Sequence, residues 1–148
     1  MKLVFGSDHA GYELKCILME EARKLGHDCE DLGAHTADCA ASYVPAAQAV
    51  AQRLQNAEAV LGVLICGTGI GISVAANKLK GIRAAVCCNE YMAEKARQHN
   101  DANILALGAR VIGRDLALSI LRRFLESSYE GGRHAQRVGE IAQLETRD

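Results

Sequence analysis

The sequence predicts an α/β fold: a three-layer, Rossmann-like arrangement in which a five-stranded parallel sheet is flanked by helices, with an extra helix at the C-terminus. Three observations predict it. Short apolar, β-rich runs alternate with stretches of helical period along the whole chain, the pattern of a parallel sheet with right-handed crossovers. The run "AVLGVLIC" (59–66) is apolar without alternation, as in a strand covered on both faces. A glycine-rich turn, "GTGIG", then leads from that run into a helix-like stretch.

The elements follow in order. "KLVF" (2–5) reads as a strand ending at Gly6. "YELKCILMEEARKLG" (12–26) spaces Leu14, Ile17, Leu18, Ala22 and Leu25 as one helix face, with Gly26 as its C-terminal cap. "HDCEDLG" (27–33) holds a short, weak strand, and "VPAAQAVAQRLQ" (44–55) is an alanine-rich helix. After the central strand come a helix at 70–79, a strand at 82–87, a helix at 90–99, a strand at 102–108 and a helix at 114–128. The segment 134–145 also has helical spacing. The 148 residues contain no repeat, linker or low-complexity tract and only one proline, Pro45, so a single domain over 1–148 is expected.

Composition narrows the function. Seventeen basic against eighteen acidic side chains leave a net charge of -1, which gives no global field for nucleic acid or anionic lipid. No apolar run approaches the roughly 20 residues that span a bilayer, and the N-terminus turns polar after three apolar residues, unlike a signal peptide. A cytoplasmic protein is expected, with its six cysteines reduced. No CxxC pair is present, so neither a structural zinc site nor a thiol-redox role is expected.

Parallel sheets bind ligands beyond the C-terminal ends of their strands, and four stretches carry chemistry. In "CGTGIG" (66–71), glycines admit close backbone approach and the following helix offers unpaired N–H groups, so the loop suits an oxyanion or a phosphate. Cys66 precedes it, where the same donors favour its anionic form, a base or a nucleophile. The plainer reading is a small residue in a tight turn. Asp8 and His9 end the first strand and either orient a hydroxylated ligand or cap the next helix. His99, Asn100, Asp101 and Asn103 crowd the entry to the fifth strand, and Arg110 follows its end; His99 is a general acid or base near neutral pH, or part of a polar helix stop. Arg133 and Arg137, four residues apart, suit a phosphate or a solvated face. Cys16, Cys87, Met19 and Met92 read as core filler, and His27 and His35 as exposed residues near an edge strand. The glycine motif is no dinucleotide fingerprint, since it follows the third strand and no acidic residue ends the next; it also lacks the Lys-Ser/Thr of a P-loop.

Taken together, "GSDHAGYELK", "LICGTGIGISVAANK", "GIRAAVC", "RQHNDANILALGARVIG" and "EGGRHAQRV", in order over residues 6–138, resemble the type B ribose-5-phosphate isomerases. These lie within a sugar-phosphate isomerase family that includes galactose-6-phosphate and allose-6-phosphate isomerases. The resemblance implies a metal-independent, cofactor-free aldose–ketose isomerase of the pentose phosphate pathway, an intramolecular oxidoreductase acting through an enediol on a small sugar phosphate. It implies that Cys66 moves the proton between C1 and C2, and that Thr68 with the amides of Gly67, Gly69, Ile70 and Gly71 stabilises the enediolate. It implies that His99 helps to open the furanose ring. Asp8, His9 and Tyr43 would meet the sugar, and Asn100, Arg110, Arg133 and Arg137 would make the remaining substrate and phosphate contacts. A homodimer or homotetramer with sites built from two subunits is implied. One departure stands out: where the family usually has Asp-Tyr-Pro, this chain has "SYVP" (42–45), which bears on a helix cap or the sugar pocket. It leaves open a hexose 6-phosphate as the substrate. A non-catalytic phosphate-binding module remains the reading of a different class.

Overall fold

A computed structural model of the chain describes residues 1–146. Five strands, β1 (Lys2–Ser7), β2 (Asp28–Asp31), β3 (Leu61–Cys66), β4 (Ala84–Val86) and β5 (Ile104–Gly108), form one sheet in the order β2-β1-β3-β5-β4. Every pairing is parallel. The helices are α1 (Tyr12–Lys24), α2 (Tyr43–Gln55), α3 (Ile70–Asn77), α4 (Glu90–Asn100), α5 (Arg114–Glu126) and α6 (Arg133–Leu144).

Side-chain alternation splits the core in two. Leu3, Phe5, Val63, Ile65, Leu105 and Leu107 pack under α1, α4 and α5, whereas Val4, Leu64, Cys66, Ile104 and Ala106 pack under α2 and α3. Both faces of the central strands are therefore out of water, which is why β3 reads as unbroken apolar sequence. The strand order reverses direction between β1 and β3. The loops that leave these two strands diverge to opposite faces and open a crevice at their C-terminal ends.

Three expectations are corrected. β1 runs on through Gly6 to Ser7, because these residues pair with Leu64 and Ile65 of β3. On α1 the buried stripe is Leu14, Lys15, Leu18, Met19 and Ala22, so Cys16 lies exposed and Lys15 takes the buried position. Met92 is exposed on α4, where Ala93 and Ala96 make the core contacts. All six cysteines are free thiols.

Candidate active site

The crevice between β1 and β3 collects one set of the candidate residues. At the end of β3, the loop Cys66–Gly69 turns into α3. Gly69 takes φ +80°, and a Cβ there would lie 2.9 Å from the Leu107 carbonyl carbon, so only glycine fits this turn. The turn brings the Gly69 N–H to 3.2 Å from Cys66 Sγ, which aims a largely buried sulfur at the start of α3. The Ile70 N–H donates to Thr68 Oγ1 at 3.2 Å. Two of the four amides expected to face an oxyanion are thus engaged inside the loop. Among the described residues, the amides of Gly67, Thr68 and Gly71 donate to nothing within the chain.

The neighbouring loops close in on this turn. Asp8 is buried and accepts from the Gly11 N–H at 3.0 Å, the turn-capping role, while its own amide donates to the Ile65 carbonyl. The Ala41 N–H donates to His9 Nδ1 at 3.1 Å. That bond makes Nδ1 the acceptor and leaves Nε2 to carry the proton. The Tyr43 ring lies against Gly71, where an added Cβ would fall 2.5 Å from its Cζ. The exposed Arg110 side chain lies over Gly67, and its amide donates to the Gly67 carbonyl.

The second set sits elsewhere. Helix α4 leaves the C-terminal end of β4 and runs back antiparallel to the strands, so its last residues, His99 and Asn100, lie at the N-terminal edge of the sheet, just before β5 begins. Cys66 pairs with Gly108, at the far end of β5. Helix α6 crosses beneath this N-terminal edge, from the end of α4 to the α3–β4 turn, where Glu145 Oε1 accepts from the Gly81 N–H. Arg133 and Arg137 are exposed on α6. Within one chain, therefore, Asp8, His9, Tyr43, Cys66, Thr68 and Arg110 are brought together, and His99, Asn100, Arg133 and Arg137 are held apart from them at the opposite edge.

Some of the surrounding machinery was absent from the sequence reading. His134 is buried and stacks on His99, ring centroids 4.0 Å apart and planes 13° from parallel. Burial, then the neighbouring imidazole and Arg133, hold its pKa below the ordinary histidine value. It lies between the two arginines of "GGRHAQRV", and the signal that could have found it is that a histidine inside a polar motif faces inward. Cys87, by contrast, is set aside as a reactive thiol: burial first, then Cys88, pushes its pKa up to about 12.

Comparison with known proteins matches residues 3–141 to the family described as ribose/galactose isomerase. The chain is 45% identical over 146 residues to ribose-5-phosphate isomerase B of Escherichia coli, covering 99% of this chain and 97% of that one. It superposes on the ribose-5-phosphate isomerase B of Clostridium thermocellum with a TM-score of 0.96 at 50% identity, covering 98% and 97% of the two chains. The enzyme of Mycoplasma genitalium, solved with bound ribulose 5-phosphate, superposes with a TM-score of 0.94 at 38% identity, covering 99% and 97%. With a family match across nearly its whole length, the chain belongs to the ribose/galactose isomerase family.

Proposed function

We propose that this protein interconverts D-ribose 5-phosphate and D-ribulose 5-phosphate through an enediol, acting as one domain over 1–148. The observation that carries the reading is the Cys66 sulfur, oriented by the Gly69 amide at the mouth of a crevice whose other walls are Asp8, His9 and Tyr43. Relatives named ribose-5-phosphate isomerase B, one of them holding ribulose 5-phosphate, support the pentose as substrate.

The chemistry follows from the geometry. The open-chain aldose presents a C2 proton made acidic by the C1 carbonyl. The Cys66 thiolate takes that proton, the C2–H electrons form the C1–C2 double bond, and the carbonyl electrons move onto O1. The free amides of the 67–71 loop and the Thr68 hydroxyl meet that charge as it forms. The O2 proton then passes to O1, the O2–H electrons form the C2 carbonyl, the double-bond electrons take the proton back from the thiol at C1, and the ketose results. His99, whose two ring nitrogens can give and take a proton, suits the proton transfers that open the furanose. Arg133 and Arg137 suit the phosphate, which holds the substrate by its unreactive end. Because the cysteine and histidine sets occupy opposite edges of one chain, the site is completed by a second copy, whose His99 edge faces the first copy's Cys66 crevice.

Cys66→Ala tests the reading. It should abolish isomerisation and the exchange of the C2 proton with heavy water, while ribose 5-phosphate still binds. Full activity in this variant, or a wild-type preference for allose 6-phosphate or galactose 6-phosphate in kcat/KM, would overturn it.

A further inference from the structure

We propose that His99, Glu130 and His134 form a binding site for a divalent transition-metal ion of the zinc type, and that the ion inhibits the enzyme by taking His99 out of catalysis. The three side chains come from separate pieces of chain: the last turn of α4, the arm after α5, and the first turn of α6. Their candidate ligand atoms lie within 4.8 Å of one another. The arm is tied to α4 by the Glu130 N–H, which donates to the Gln98 carbonyl at 3.0 Å, so the carboxylate is held over the end of the helix that carries His99.

Two imidazoles and one carboxylate are a ligand set that binds zinc with positions left for water or substrate. Among the described residues, neither imidazole has a hydrogen-bond partner within the chain, though His134 is buried. Their ring nitrogens are not sealed from solvent, so each is open to a shared cation. Donors around a tetrahedral zinc stand about 3.4 Å apart, as bond lengths of about 2.1 Å require. The candidate atoms, within 4.8 Å of one another, need close by no more than about 1.4 Å to reach that spacing, and Glu130, which supplies one of them, is exposed. The Glu130 carboxylate also offsets the positive charge of Arg133 and Arg137, which would otherwise repel a cation here.

The inhibition rests on the catalytic role given to His99; the binding does not. The test therefore reads both. Calorimetry with Zn²⁺ should find one strong site per chain, and it should persist in Cys66→Ala, which removes the competing thiolate. Co²⁺ in its place should give a visible spectrum without the charge-transfer band of a thiolate ligand. Zn²⁺ should suppress isomerisation by the wild type, and a chelator should restore it. Glu130→Gln, an exposed change outside the catalytic set, should keep its metal-free activity and lose at least about tenfold in zinc affinity. Equal zinc affinity in Glu130→Gln, or loss of the site in Cys66→Ala, would overturn the proposal. If the isomerase reading alone were at fault, metal-free activity would be missing while the calorimetric site remained.

Discussion

Lys15 has no exposed surface, yet it occupies the buried stripe of α1. Its ammonium donates to Asp31 Oδ1 at 2.6 Å and to the Ala34 carbonyl, at the end of β2 and just beyond it. Asp31 Oδ1 also accepts from the Gly33 N–H at 2.9 Å. The same short segment brackets Ser7, since the Ser7 N–H donates to the Gly33 carbonyl and the Ala34 N–H to the Ser7 carbonyl. Lys15 thus braces the backbone immediately before Asp8 and His9. Lys15→Met fills similar volume but strands a carboxylate and a carbonyl beside the core, at a cost of about 2–3 kcal/mol. Urea unfolding should report that loss. The kcat/KM for ribose 5-phosphate should fall as well, because the Asp8 and His9 loop loses its brace; unchanged kinetics would separate Lys15 from the site. The sequence hid this residue for a physical reason. A lysine inside "YELKCIL" counts as polar in any helical pattern, so the sequence places Cys16, not Lys15, on the apolar face. Only the partner from β2, remote in sequence, makes the buried ammonium tolerable.

At the level of elements the chain is far more legible. Every strand and helix expected from the alternation is present, because burial on both faces of the sheet imposes unbroken apolar runs and the helices show their period. Errors gather at ends, where pairing with a neighbour decides the length, as at β1. Helix α2 explains the departure at 42–45. Ser42 is its N-cap, and its hydroxyl accepts from the Val44 N–H at 3.1 Å. Pro45 falls in the first turn, where an N–H has no helical partner to lose. The serine therefore caps α2, and the cap sets where Tyr43 stands over Gly71. Ser42→Ala should cost about 1 kcal/mol of stability and Ser42→Asp almost none. A thermal melt of the three proteins checks the order, and a Ser42→Ala protein as stable as the wild type would remove the cap from the account.

At the scale of the whole molecule, the decisive feature is that α4 runs antiparallel to the sheet. Any βαβ unit returns its helix to the N-terminal edge, so a residue preceding β5 cannot share an edge with one that ends β3. The sequence held this fact, since His99 stands before the fifth strand and Cys66 after the third, but a list of motif residues carries no sense of which edge each occupies. If the site spans two copies, Cys66→Ala and His99→Asn damage different halves of it. Each protein alone lacks one half in every site and should be nearly inactive. In a mixed dimer, one site inherits both lesions and the other inherits none. Random assembly from an equal mixture makes half of the dimers mixed, with one working site of two, so activity should recover to about a quarter of the wild-type value. Co-expression or joint refolding of the two variants, followed by an assay on ribose 5-phosphate, measures it. A mixture as inactive as its components would mean that cysteine and histidine must come from the same chain, and the two-edge geometry would then have to be bridged by a rearrangement within one subunit.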